Sequence, residues 1–318
     1  LQDIDFFTQY TIRVNRVVDY IRQQPKGDLS LEHLASIANF SKYHFHRVFK
    51  SIRGESLNAF VCRVKLERAA FILLNNPREN ITSIAYDMGY SSSSVFSRDF
   101  KRLFKQSPSQ WRNNANSNIC TAQSNIGKAL IASNTYIDFS NHQPKWRVKM
   151  NKKTDFNIEV KAIPEIKIAY IRHYGAYDPM DKVLFSEMFQ KLMNWALPKN
   201  LFKPPATKAL TIFSGGHPDT TAPENLSVDV AISIESTHKV GNDISQRTIA
   251  GGRYAVLSLN EVTMEDANAA WSHLFNDWLP YSGYQPGDGA YYISHKNDPQ
   301  LHPKNLYDLE MYLPVNPL

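Results

Sequence analysis

Cysteine is nearly absent from this chain of 318 residues. Only Cys62 and Cys120 occur, too few for a disulfide framework, and no Cys/His grouping has the spacing of a zinc site. No metal and no cofactor is therefore expected. No run of 18 or more apolar residues exists, so no segment reads as a membrane-spanning helix. The first residues also lack a basic stretch followed by an apolar one, which leaves a reduced cytoplasm as the expected compartment. Catalytic signatures are missing as well. There is no Gly-x-Ser-x-Gly elbow, no His-x-x-x-His pair, and no nucleophile and base at a spacing that pairs them. The chain is not expected to be an enzyme.

What is present is an unevenly placed positive charge. The net charge is +6, and residues 1–112 hold 17 Lys and Arg against 10 Asp and Glu, whereas the rest holds 19 against 20. All of the excess sits in the first third, as expected of a segment that meets a polyanion. That same third repeats itself. Leu34-Ala35 recurs as Ile84-Ala85, and Asn39-Phe40-Ser41 as Gly89-Tyr90-Ser91. After one inserted residue, Phe45-His46-Arg47-Val48-Phe49-Lys50 recurs as Phe96-Ser97-Arg98-Asp99-Phe100-Lys101, and Ser56 and Phe60 answer to Ser107 and Trp111. Repetition of exposed basic positions along with core positions points to one task performed twice.

Each copy reads as helix, tight turn, helix. Residues 8–24 form an amphipathic helix with Ile12, Val14, Val17, Val18 and Ile21 on its apolar face. Ser30 can cap a helix over 31–38, Asn39 and Gly89 suit the left-handed turn that follows, and Ser41 and Ser91 can cap the next helices. From Lys42 to Ile52, Phe45, Val48, Phe49 and Ile52 make one stripe. The opposite stripe of Tyr43, His46, Arg47 and Lys50, with Lys42 at its start, is basic and hydrogen-bonding and carries no carboxylate. In the second copy Phe96, Phe100, Leu103 and Phe104 face inward, while Ser93, Ser94, Ser97, Arg98 and Lys101 face outward. Arg and His can reach guanine edges and Ser any base, whereas Lys and Tyr hold phosphates. A helix over 57–75 separates the copies by roughly 28 Å, close to one turn of DNA at roughly 34 Å.

Residues 113–153 are rich in Asn and Ser and read as a linker, with local structure around Lys128–Ile131 and short strands at 135–139 and 146–150. The remainder, 154–318, is α+β. Strands are predicted near 156–162, 166–173, 208–214, 227–235, 247–260, 290–296 and 307–314, and helices over 180–196 and 264–279. Both helices end alike, in Trp195-Ala196-Leu197-Pro198 and Trp278-Leu279-Pro280. A duplicated strand-helix-strand-strand unit follows, giving an antiparallel sheet with both helices on one face. The expected architecture is thus two-domain: an all-α N-terminal domain over 1–112 with two helix-turn-helix units, then the α+β domain.

The motifs carry a family resemblance. Ile81-Thr82, Ile84-Ala85, Gly89-Tyr90-Ser91, Phe96-Ser97-Arg98, Phe100-Lys101, Ser107-Pro108-Ser109 and Trp111-Arg112 resemble the DNA-binding domain of the AraC/XylS transcriptional regulators, and the likeness runs from Ile12 to Arg112. It implies seven helices, with Tyr43, His46 and Arg47 reading one groove and Ser93, Ser94, Ser97 and Arg98 the next. The family often carries longer amide side chains where this chain has Ser93 and Ser94. Residues 154–318 resemble the GyrI-like effector-binding domain through Ile163-Pro164, Ala169-Tyr170-Ile171-Arg172-His173-Tyr174-Gly175-Ala176-Tyr177, Gly251-Gly252, Trp278-Leu279-Pro280, Asp298-Pro299 and Leu313-Pro314-Val315. The order of the two parts is similar to the Rob branch of the family.

These resemblances imply a ligand-responsive transcription regulator whose partners are double-stranded DNA, RNA polymerase and a small amphipathic or aromatic effector, acting as a monomer or dimer. The effector site is expected among Tyr174, Trp195, Trp278, Tyr281, Tyr291, Glu310 and Tyr312, since aromatic surface suits flat apolar or cationic ligands. Ile293 stands where many relatives place a glutamate, and Glu310 is the candidate substitute. The alternatives are a second domain that binds proteins without a ligand, or one that hydrolyses small molecules.

Overall fold

The structure is a computed structural model that describes residues 6–76, 78–113, 135–138, 143–146, 156–178, 181–215, 220–235, 244–287 and 289–317. It falls into two compact units whose main boundary lies between Asn116 and Ser117.

In the first unit, helix α1 (Phe6–Gln23) buries Ile12, Val14, Val17, Val18 and Ile21, the residues whose spacing predicts it. Ser30 caps α2 (Leu31–Ile37) by accepting from the His33 N–H at 3.3 Å. The chain then turns at Asn39, with φ of 53°, into α3 (Lys42–Arg53). Ser56 caps α4 (Leu57–Asn75), accepting from the Ala59 N–H at 3.3 Å. The second copy follows the same plan. Asn80 caps α5 (Ile81–Asp87), Gly89 turns with φ of 73°, and α6 (Ser93–Phe104) follows. Ser107 and Gln110 then exchange hydrogen bonds of 2.9 and 3.2 Å to open α7 over 108–113.

Two aromatic cores hold this unit. Phe45, Phe49 and Phe60 join α3 to the start of α4, with Phe49 and Phe60 edge to face at 5.4 Å and 76°. Phe96, Phe100 and Trp111 join α6 and α7 to the end of α4, with Phe100 and Trp111 at 6.0 Å and 78°. Phe60 and Trp111, matched by position in the repeat, thus do the same packing task. Two expectations change. The inserted residue moves the second cap from Ser91 to Ser92, which accepts from the Val95 N–H at 3.3 Å, and Ser41 makes no side-chain cap bond. Leu103, expected inside, is 39% exposed because the Phe100–Phe104–Trp111 stack already fills that side.

In the stretch expected to link the domains, β1 (Thr135–Asp138) pairs antiparallel with β2 (Gln143–Trp146). The second strand meets the expected 146–150 at Trp146, and 147–150, like Lys128–Ile131, lie outside the described residues.

The second unit is built from β3 (Ile158–Ile163), β4 (Ile166–Tyr174), α8 (Lys182–Ala196), β5 (Ala209–Phe213) and β6 (Ser227–Ser233). The pattern then repeats with β7 (Ser245–Ile249), β8 (Gly252–Val262), α9 (Met264–His273), a short β9 (Tyr284–Pro286), β10 (Tyr291–His295) and β11 (Tyr307–Pro317). This is the duplicated α+β plan expected, with one correction. The strand expected over 247–260 is two strands, broken at Ala250-Gly251. Beyond α9 the helix widens by one residue per turn over Leu274–Trp278 before the Leu279–Tyr281 turn.

The sheet order is β3-β8-β11-β10-β5-β6-β4-β7, with β9 on β11. Strands β3 and β4 lie six places apart, roughly 29 Å across a flat sheet at about 4.8 Å per strand. Only Pro164-Glu165 joins them, a link that spans no more than about 11 Å. Strands β7 and β8 impose the same condition through Ala250-Gly251. The sheet must therefore curl until its edges approach. The inner face is filled by Ile168, Tyr170, Leu210, Ile212, Tyr254, Val256, Tyr292 and Tyr312. Both helices pack outside, α9 over Ala255, Leu257, Ile293 and Met311, and α8 with Phe189 edge-on to His295.

The two connecting turns touch where the edges meet. A Cβ on Gly251 would stand 2.7 Å from the Glu165 backbone nitrogen and 3.0 Å from the Ile163 carbonyl oxygen. Gly251→Ala is expected to destabilise the second unit by about 1–3 kcal/mol, because backbone, not a flexible side chain, must move. Urea denaturation followed by fluorescence measures it, and an unchanged midpoint would contradict the closure.

Candidate nucleic-acid interface and ligand groove

Helix α4 positions both candidate reading helices. Its 19 residues span about 28 Å at ~1.5 Å each. Leu57 and Phe60 belong to the first core, and Leu66, Ala69, Ala70 and Leu73 to the second. Between them sits a buried cation that the sequence reading missed. Arg63 donates from Nη1 to both Glu67 oxygens at 3.0 and 3.1 Å, and from Nη2 to Glu55 at 2.5 Å. Burial opposes its charge, but the two carboxylates outweigh burial and hold the guanidinium more firmly protonated. Glu55 lies in the turn that ends α3, so this ion cluster fixes the angle between α3 and α4.

On α3 the predicted stripe emerges on the exposed side. Tyr43 is 77% exposed, and Lys42, His46, Arg47 and Lys50 are exposed beside it. Lys42 is partly engaged, with Nζ 3.1 Å from Glu32 and 5.7 Å from the Tyr43 ring centre. No ion pair occupies Arg47 or Lys50 among the described residues, and no carboxylate of α3 competes for them. On α6, Ser94, Arg98 and Lys101 are exposed, whereas Ser93 and Ser97 are half-buried. Arg98 Nε stands 3.7 Å from Asp99, which Arg102 also approaches at 3.4 Å. The second helix thus presents a shorter and partly neutralised surface.

In the second unit the seven expected effector residues do not line one site. Successive residues of a strand face opposite sides. Tyr174, Glu310 and Tyr312 belong to the inner face, where Tyr312 stacks on Tyr292 at 4.5 Å and donates to Glu310 at 2.6 Å. Glu310 is opposite Ser294, while Ile293 is opposite Met311 on the outer face. Glu310 therefore cannot stand in for position 293. Burial opposes its ionisation, but hydrogen bonds from Lys296 and Tyr312 prevail and hold its carboxyl below the usual range. On the same inner face Arg172 and Asp229 form a fully buried bidentate pair at 2.6 and 2.8 Å, with Tyr170 under the guanidinium.

The others lie outside. Trp195, at the end of α8, carries Lys199 over its ring at 4.9 Å. Trp278 stacks on Tyr284 at 6.2 Å, and Tyr281 is 89% exposed. Only Tyr291 belongs to a larger aromatic assembly. It stacks on Phe213 of the neighbouring strand at 5.2 Å and 16°, and Trp271 of α9 meets both edge-on at 5.6 and 5.8 Å. Residues β5 and β10 contribute to the outer face, Thr211, Phe213, Tyr291, Ile293 and His295, form a floor between the two helices. Phe189 of α8 borders it on one side, and Trp271 of α9 with Phe275 of the segment that follows on the other.

Thr211 and His295 join across this floor at 2.9 Å. Burial pushes His295 down from 6.5 to about 4, so the imidazole is neutral at neutral pH. Because the folded chain resists protonating it, its contribution to stability is present above pH 6.5 and lost as pH falls towards 4. The melting temperature is expected to decline across that window, and His295→Asn to flatten that part of the profile. An unchanged profile in the variant would place His295 in water.

Among the described residues, no helix is long and apolar enough to cross a membrane, and no group of His, Cys, Asp and Glu could hold a metal ion. Residues 156–316 match the GyrI-like small molecule binding domain family, and residues 34–114 match a helix-turn-helix domain family. A helix-turn-helix-type transcriptional regulator of Haemophilus influenzae is 38% identical over 100 residues, covering 31% of this chain and 33% of its own length. The chain spans between 20% and 37% of the length of the curated relatives it matches. Among solved structures, the C-terminal domain of EcmrR is similar over 52% of this chain and 100% of its own, at 15% identity and a TM-score of 0.42. The C-terminal domain of AraT, a response regulator from Geobacillus stearothermophilus, is similar over 32% of this chain and 84% of its own, at 31% identity and a TM-score of 0.30. The chain belongs to the GyrI-like family through its second half, carried behind a helix-turn-helix region of the AraC/XylS type.

Proposed function

We propose that this protein is a transcription regulator that binds double-stranded DNA through α3 and α6 and responds to a small molecule held by its second domain. The observation that carries the first part is the pair of like helices set on one rigid α4, each turning an arginine outward. Their spacing suits successive major grooves on one side of a duplex, so a single chain can occupy an asymmetric site. Tyr43, His46 and Arg47 read the first groove, and Arg98 with Ser94 the second. Lys42, Lys50 and Lys101 hold phosphates, and Ser93 and Ser97 assist close to the backbone. The names of the curated relatives support this reading. We assign residues 1–112 to DNA binding, 113–153 to a linker and 154–318 to effector binding. The protein works in the cytoplasm, with RNA polymerase as its further partner.

The effector takes the floor between α8 and α9, where Tyr291, Phe213 and Trp271 gather aromatic surface, rather than the inner face around Glu310. Tyr291 keeps its expected role there, and Trp278 borders the same helix end.

Binding to DNA upstream of the protein's own coding region, at several salt concentrations, tests the DNA-binding reading. Arg47→Ala and Arg98→Ala are each expected to reduce discrimination at separate positions by about 1–3 kcal/mol. Lys50→Ala should weaken all sequences alike and lower the salt slope by about 1. Specific binding that survives loss of both arginines would reject these reading heads. For the effector, a bound small molecule must raise the melting temperature of the full chain, since the folded state alone binds it.

A further inference from the structure

Helices α1 and α3 enclose a groove of about 720 Å³ in the first unit. Tyr43 and Arg47 line it and also belong to the basic stripe of α3, so the groove is continuous with that stripe. Phe7 and Tyr10 of α1 form one wall, and Val48 and Ile52 of α3 lie opposite. Phe7 is 63% exposed. The remaining lining is polar: Ser41, His44 and Ser51, all exposed. Ser41 makes no side-chain cap bond, which leaves its hydroxyl free of that duty, and His44 stands edge-on to Tyr10 at 5.6 Å. Among the described residues, no carboxylate lines the groove.

An α-helix with its side chains is roughly 10–12 Å across, and the major groove of B-DNA is roughly 12 Å wide. A helix seated there has base edges in front and a ridge of sugar and phosphate along each flank. At roughly 100° per residue, His44 and Ser51 lie about a quarter turn round α3 from the centre of the Tyr43, His46, Arg47 and Lys50 stripe. They therefore occupy a flank, and α1 stands beyond it. The ridge on that side comes up against the groove between the two helices. The chemistry of the lining agrees. Hydroxyl and guanidinium groups donate to phosphate oxygens, and apolar side chains suit the faces of deoxyribose. A carboxylate would repel the ridge, and the groove has none. A protein partner would gain from the aromatic wall alone, whereas continuity with Arg47 and the absence of acid favour a polyanion.

We propose that α1 is a third DNA-contacting element: the groove between α1 and α3 seats the sugar-phosphate ridge that flanks the first reading helix. Ser41, His44 and Ser51 meet its phosphates, and Phe7 lies against a deoxyribose. This rests on the placement of α3 in a major groove and adds affinity without base preference.

Phe7→Glu tests the wall supplied by α1, and Ser51→Asp the flank of α3. The new Glu lies in the first turn of α1, where the helix dipole favours a carboxylate, so the fold is retained. Gel-shift titration of the full chain compares DNA upstream of its own coding region with an unrelated duplex. Each variant is expected to bind both at least roughly tenfold more weakly, with the ratio between them unchanged. The loss should shrink as salt rises. Neutral methylphosphonates are then moved one linkage at a time along the flank of the first half-site. Where one replaces the seated phosphate, variant and wild type should bind alike. Wild-type affinity in either variant, or a penalty that no methylphosphonate relieves, overturns the proposal. If DNA binding is unchanged but transcription by RNA polymerase falls in Phe7→Glu, the groove belongs to a protein partner instead. A changed ratio between the duplexes also overturns it, because the groove would then take part in base reading. Should Ser51→Asp lose its melting transition, Phe7→Glu with the methylphosphonate series decides alone. Wild-type chain that prefers neither duplex rejects the reading role of α3, an outcome seen before any variant is made and so distinct from failure of the groove.

Discussion

Arg63 is clamped between Glu55 and Glu67 in the interior of the first unit, and the set of α3 against α4 depends on it. A charge removed from water needs paired partners of good geometry, and here those partners come from the α3–α4 turn and from the next turn of α4 itself. The cluster therefore ties the end of α3 to the helix that carries α6. On either side of it the two aromatic cores grip opposite ends of α4, so that α3 and α6 are held at the separation set by the length of a single helix.

The second unit obeys a different constraint, chain connectivity. Two links of two residues each force an eight-strand path to curl, and the curl gives the sheet an inside and an outside. Inside are stacked tyrosines and the Arg172–Asp229 pair, fully withdrawn from water. Outside, one of the seams where the duplicated halves meet, β5 against β10, is left between the two helices. Its floor is thus built by strands from both halves.

Much of the first unit was legible. The repeat matches Asn39 with Gly89 and Phe60 with Trp111 because the same turn geometry and the same packing task recur, and local spacing encodes both. The small disagreements have local causes as well, such as the inserted serine that moves the cap from Ser91 to Ser92. In the second unit the element order was legible, but the strand over 247–260 read as continuous. Periodicity does not register that Gly251 must lie against the 163–165 turn. The effector residues were gathered by aromatic character, which carries no information about the side of a strand. Tyr291 and Tyr312 consequently fell into one group although they face opposite ways. Trp271, Phe213 and Thr211 were passed over because their neighbours are remote in the chain; Thr211 and His295 are 84 residues apart.

By itself, the sequence determined the helices, the twofold repetition and the exposed basic stripes, since each follows from contacts within a few residues or from periodicity along one element. Tertiary structure alone decided that Arg63 is a buried clamp, that Glu310 lies on the inner face away from Ile293, and that Phe213, Tyr291 and Trp271 come together on the outer face. Those outcomes depend on which strands become neighbours and which way the sheet curls. That is set by chain links and packing summed over the whole domain, and no local pattern carries it.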